Sequence, residues 1–274
     1  MSDYFYTDAF MWDVLKIRKL PSRLCQFTSV DALEKILSTR TLRFSRLDRV
    51  NDPEEAMADD LPDAASSVFV SCWTGADIET LPMWSMYGDQ MRGVRLSLPA
   101  DLFRGRPKAA VLEEGGAITA IEDWFTIERS FPAMGGKGRV VIGPNKVFYS
   151  DDPAYRKPRM VHRREGQAHV YPYDLGMVKG TDWAFEEEWR FKIALMSFGG
   201  LYPDDDYFNT VTLDLKTYPV TTEALFVPLD ATALDELDVM LGPKADQTVE
   251  NRVAQILAAI APKATISHSR LKVR

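Results

Sequence analysis

LCQFTSVDALEKILSTRTLRFS, residues 24–45, reads as strand, short helix and strand in immediate succession. Leu24 to Phe27 is an apolar run, and Thr28 stands three residues before Asp31, the pattern of a capped helix start. Leu33, Ile36 and Leu37 then form one apolar stripe, which predicts a helix over 30–39 packed on the preceding strand. Thr41 to Ser45 alternates polar and apolar side chains, which predicts a second strand, and Val50-Asn51-Asp52-Pro53 reads as the turn after it.

Outward from there the chain keeps to short elements. Strands are expected at Ser67–Trp73, Gly93–Leu98, Lys146–Tyr149, from Trp183 through Leu195, at Val211–Leu215, 222–227 and Ala264–His268. Leu81–Gly88 reads as a brief helical turn closed by glycine, and helices are expected near 118–130, at 231–240 and at 246–261. The last of these is the cleanest, with Val249, Val253, Ile256, Leu257 and Ile260 on one face and Pro262 just beyond. Strands outnumber helices without strict interleaving, so the expected class is α+β, a mixed or antiparallel β core with short helices. No linker divides the 274 residues, which predicts a single domain over 1–274 with an elaboration at about 104–170.

Composition narrows the function. Hydrophobic residues make up 46% of the chain, enough for a sizeable core, which excludes wholesale disorder. Lys plus Arg is 33 against 40 Asp plus Glu, a net charge of −7, which argues against a broadly basic nucleic-acid binder. Cys25 and Cys72 make no disulfide framework and no zinc spacing, and His162, His169 and His268 are not spaced as metal ligands, so no metal is expected. The first residues do not read as a signal peptide and no apolar run reads as a membrane span, so a reduced, cytoplasmic setting is expected.

Chemistry concentrates in Trp183-Ala184-Phe185-Glu186-Glu187-Glu188-Trp189-Arg190. As a strand, it places Glu186, Glu188 and Arg190 on one face. Two carboxylates about 7 Å apart on a strand call for a nearby cation, and Arg190 can supply it. Such a pair can stabilise positive charge on a sugar ring and position a nucleophile; a solvated face with a register-holding ion pair remains the alternative. Trp84 and Tyr87, three apart, can stack on a flat ring or serve as packing. Asn51-Asp52-Pro53-Glu54-Glu55 is a turn with an acidic helix start or part of a site. Arg156 to Arg164, with five Lys/Arg, is a phosphate contact or a solvated loop. Gly135-Gly136-Lys137-Gly138 lacks the ending of a phosphate loop.

Four stations in order resemble the bacterial and phage family catalogued as domain of unknown function 2971: LCQFTSVDALEKILSTRTLRFS, NDPEE at 51–55, FVSCWT followed by MWSMYG and Gly93, and WAFEEEWR at 183–190. The resemblance spans about residues 20–270, with the middle insert poorly matched. Gln26 stands where that family often carries a basic residue, and Met86 where a His is common. The layout is similar in turn to the ADP-ribosyltransferase fold. That similarity implies a toxin-like enzyme that cleaves NAD and transfers ADP-ribose to a protein or nucleic-acid acceptor, and the family's usual carriers imply a role in phage defence. It implies Glu188 as the catalytic carboxylate and Glu186 as its helper. Ser71, Trp84, Tyr87, Asn51, Asp52, Arg190, Phe44 and Gln26 are the expected substrate-binding residues, with NAD as substrate and no metal. The competing expectation is a non-catalytic binding or regulatory module of the same fold.

Overall fold

The computed structural model describes residues 21–61, 63–77, 79–102, 141–164, 167–170, 174–195, 220–230 and 232–273. The opening stretch folds as β1 (Arg23–Thr28), α1 (Val30–Thr39) and β2 (Thr41–Arg46), with hardly a residue between them. Ser29 rather than Thr28 caps α1, its hydroxyl accepting from the Ala32 amide at 3.2 Å. Arg40 takes the left-handed conformation that ends the helix.

The later elements are β3 (Val68–Thr74), α2 (Leu81–Tyr87), β4 (Val94–Pro99), β5 (Ile142–Lys146), β6 (Phe148–Tyr149), α3 (Pro153–Arg156), β7 (Val161–Arg164), β8 (Gln167–Val170), β9 (Val178–Lys179), β10 (Glu188–Ala194), β11 (Ala224–Pro228), β12 (Asp238–Leu241), α4 (Gln247–Ile260) and β13 (Thr265–His268). Among the described residues, nine strands form one sheet in the order β11-β2-β3-β1-β4-β12-β13, with β10 against β3 and β5 beyond β10. Its pairings are antiparallel except β12 with β13, which α4 connects. The class is α+β with a mostly antiparallel sheet and short helices. Two further pairs, β6–β9 and β7–β8, lie apart from it.

β3 organises the sheet. β10 runs along its whole length, from Glu188 opposite Thr74 to Ala194 opposite Val68. The other edge is shared: Phe69 and Val70 pair with β2, and Thr74 pairs with β1. β1 and β2 therefore splay apart beside Ser71–Trp73. Gln26 spans the opening, its side-chain amide donating to the Cys72 carbonyl at 3.0 Å. One face of the sheet packs Phe69, Trp73, Phe191 and Ile193 against Leu33 and Leu37 of α1 and Val253 and Leu257 of α4. Burying each such side chain contributes about 1.5–3 kcal/mol, so this face carries most of the stability. The opposite face is covered by a smaller cluster that includes Leu47, Leu61, Val68, Val70 and Leu175. That leaves room for polar groups.

Two expectations need correction. Residues 183–186 belong to a 3-10 turn, Thr181–Glu186, and the strand begins only at Glu188. The expected helix at 231–240 is instead a 3-10 turn, Ala233–Glu236, followed by β12. There Val239 and Leu241 are buried while Asp238 and Met240 are half-buried, the alternation of a strand pairing with β4. The expected strand at 211–215, the helix near 118–130 and the glycines at 135–138 lie outside the described residues. From the 104–170 elaboration, β5 joins the main sheet through Trp189 and Arg190.

Candidate functional site

Residues opposite one another in an antiparallel pair share a face. Cys72 lies opposite Arg190 and Thr74 opposite Glu188, so these four point to the face away from the main core. Glu186 joins them by a different route from the expected alternation. Glu187 adopts a left-handed backbone, φ 45°, a conformation costing about 1–2 kcal/mol for a non-glycine residue. It turns the chain so that the Glu186 carboxylate comes back beside that of Glu188. β9 then delivers Lys179 between them, and its ammonium lies 4.6 Å from the centre of the Trp183 ring.

The result is a buried chain of charges. Arg190 Nε and Nη2 donate to the two carboxylate oxygens of Glu188 at 2.5 and 2.9 Å, a bidentate clasp. Arg190 Nη1 donates to the Gly176 carbonyl at 2.5 Å and lies 2.5 Å from Glu55 Oε2. Beyond this ion pair, neither oxygen of the fully buried Glu55 carboxylate has a hydrogen-bond partner among the described residues. Lys179 Nζ donates to Glu186 at 2.6 Å and to Glu188 at 3.3 Å. The Tyr87 hydroxyl donates to Glu186 in a short bond and accepts from the Asn51 amide at 2.9 Å. The Glu188 backbone amide donates to the Tyr149 hydroxyl at 2.8 Å.

The two carboxylates are tuned in opposite directions. Burial pushes Glu188 up, but the charges of Arg190 and Lys179 outweigh it and bring the group down to about 2. Burial and repulsion from Glu188 raise Glu186, with Lys179 only partly offsetting them. Glu55 is likewise raised, first by burial. A depressed carboxylate contributes stability that is present above its unfolded value of about 4.5 and lost as pH falls towards 2, here roughly 3 kcal/mol. Raised Glu186 acts with the opposite sign: its contribution is present below about 4.5 and lost as pH rises through its folded value. Denaturant midpoints measured across pH 2–5 should therefore lose their acid-side slope in Glu188→Gln, while Glu186→Gln keeps it. Equal slopes in wild type and Glu188→Gln would contradict the ion-paired assignment.

These groups line one side of a cleft of about 1040 Å³ that opens where β1 and β2 separate. Gln26, Asn51, Tyr87, Glu186, Glu188 and Arg190, all expected at the site, border it. Ser71 borders it too, but its hydroxyl accepts from Trp73 Nε1 at 3.0 Å on the core face. Three expectations fail. Trp84 is wholly buried, meets Phe27 edge-to-face at 4.8 Å and donates to Glu79 at 2.8 Å, so its ring is not presented to the cleft. Phe44 points into the main core with Leu42, because β2 turns Thr41, Arg43 and Ser45 to the cleft. Asp52 is buried away from the cleft, accepting from the Glu54 amide and lying 3.7 Å from Arg156. Its role is to cap the turn that places Glu55 beneath Arg190. Met86 is exposed and does not border the cleft.

Lys179, Glu55, Cys72 and Tyr149 were not expected here. Glu55 was legible in principle, as the last residue of the NDPEE turn; Lys179 sits in an apolar stretch with no local mark. Arg156, from the basic run, is engaged with Asp52 and Glu54. Among the described residues no group of three His, Cys, Asp or Glu is placed to hold a metal ion. No helix among them is long and apolar enough to cross a membrane.

Residues 83–191 match the model of a family described as a protein of unknown function (DUF2971). The matched segment contains Tyr87, Tyr149, Lys179, Glu186, Glu188 and Arg190, whereas Gln26, Asn51, Glu55 and Cys72 reach the site from outside it. No curated protein and no solved structure matches the chain.

Proposed function

We propose that the chain is an ADP-ribosyltransferase-like protein whose cleft binds NAD and cleaves its nicotinamide–ribose bond, passing ADP-ribose to a protein or nucleic-acid acceptor. One observation carries the reading: Glu186 and Glu188, both buried, meet at Lys179 on the wall of a roomy cleft. Breaking this glycosidic bond builds positive charge on the ribose, and fixed carboxylates in a desolvated site stabilise it more than water does. Glu188 is ionised at any physiological pH, and Glu186, with its raised affinity for protons, is the group suited to take a proton from an acceptor. Arg190 and Lys179 fix the geometry. Ligand entry must shift some of their hydrogen bonds from Glu188 to the ligand, because a carboxylate already neutralised stabilises little further charge.

That clasp favours a second reading, a binding module in which Glu188 is purely structural. Nicotinamide release separates the two. Purified protein incubated with NAD should release nicotinamide, and Glu188→Gln should lower the rate by at least about 100-fold. Absence of release, together with absence of NAD binding by calorimetry, would leave only the binding module.

A further inference from the structure

The cleft continues beyond the carboxylates along the same face of the sheet. Cys72 lies opposite Arg190, Val70 shares its face, Ser45 lies opposite Val70, and Arg43 shares a face with Ser45. Phe226 on β11 lies opposite Arg43. Phe226 and Arg43 thus face the cleft from one side of the opening where β2 leaves β3, and Cys72 and Arg190 face it from the other. Phe226 is 62% exposed, an uncommon position for a large aromatic side chain, and it borders the cleft.

The charges at this end do not cancel. Asp31 is paired with Arg252 at 2.6 Å, and Glu223 lies 3.8 Å from Arg49. Arg43 and Lys35 border the same cleft and make no ion pair or side-chain hydrogen bond among the described residues. Two uncommitted cations beside an exposed aromatic face suit a ligand that is anionic at one point and flat at another.

We infer that this end is a nucleoside-diphosphate subsite, with the base stacked on Phe226 and the phosphates held by Arg43 and Lys35. It rests on the reading of the cleft as a nucleotide site and extends it: the glycosidic bond lies over Glu188 and the adenosine diphosphate moiety points towards β11. A nucleic-acid strand offers the same two chemical features. Arg190 and Glu188, at the far end of the span from Phe226, are buried, which fits a ligand whose end is held there better than a chain whose backbone stays in solvent.

Binding of ADP and of ADP-ribose, measured by calorimetry, needs no turnover. Both should bind the wild type, and Phe226→Ala and Arg43→Glu should each weaken them by roughly tenfold or more, the size of a base–aromatic stack. Ile266→Ala, at the opposite edge of the sheet, should leave binding unchanged. All three side chains are at least partly exposed, so the variants are expected to fold. Affinities in Phe226→Ala and Arg43→Glu equal to wild type would overturn the subsite, as would a (dT)10 oligonucleotide that binds where ADP does not. ADP binding lost in Arg43→Glu, in a protein that releases no nicotinamide from NAD, would keep the subsite and remove the catalytic reading. Nicotinamide release with KM unchanged by both substitutions would do the reverse.

Discussion

Arg190→Met is expected to lower the free energy of unfolding by about 3–5 kcal/mol, because it strands buried charge rather than merely deleting a contact. The guanidinium holds Glu188 in a bidentate clasp, lies against Glu55 and satisfies the Gly176 carbonyl. Without it Glu188 keeps the Lys179 contact at 3.3 Å, and the buried Glu55 carboxylate loses its ion pair. A fold of ordinary stability, about 5–15 kcal/mol, would lose a fifth or more of its margin. Arg190→Lys should recover little, since a single ammonium cannot reproduce the planar fork. Urea denaturation with unchanged m-value is the measurement; a loss under about 1 kcal/mol would mean that the clasp is dispensable.

Trp84→Ala should cost a comparable 3–5 kcal/mol, roughly the penalty for emptying a fully buried tryptophan site. The ring packs edge-on against Phe27, and its N–H satisfies Glu79, which also accepts from Ser269 and from the Arg270 amide. Glu79 sits lower than an ordinary carboxylate: burial opposes its ionisation, and these hydrogen bonds more than offset it. The indole thus ties α2 to the segment after β13. Trp84→Phe, which keeps an aromatic ring and loses only the N–H, should cost less. Folded Trp84→Phe protein should retain wild-type affinity for ADP-ribose, whereas a residue that stacks on the ligand would show its loss in the binding constant.

How far the sequence disclosed the site depends on which physical signal each residue carries. Periodicity located α1, β2, β4 and α4, because each buries one face more than the other, while an apolar run marked β1 and β-branched and aromatic residues marked β3, which is buried along nearly its whole length. It misread 183–187, where a turn and a left-handed Glu187 bring Glu186 and Glu188 together by tertiary contact rather than by strand alternation. It misread 231–240 for a related reason: short polar-apolar runs fit both periods, and only pairing with β4 decides between them. At the site, chemistry-bearing residues in turns were legible in kind but not in direction. NDPEE pointed to Asn51 and Asp52, yet Asp52 caps the turn and Glu55 does the electrostatic work. Trp84 and Tyr87 were expected to act together, but α2 buries the first and offers the second. Lys179 has no pattern of its own; its meaning comes wholly from β9 pairing with β6 and passing beneath Glu188.

The edge of β3 that β10 covers bears on how the chain must be made. The strand that completes β3, β10, emerges roughly a hundred residues later. At translation speeds of about 5–20 residues per second, Val68–Thr74 waits roughly 5–20 s for its longest neighbour. Throughout that interval a run of largely apolar backbone lies open on the ribosome, a template for mispairing with neighbouring nascent chains. A holdase acting during synthesis would be needed most in that window, before any cleft exists to bind a nucleotide.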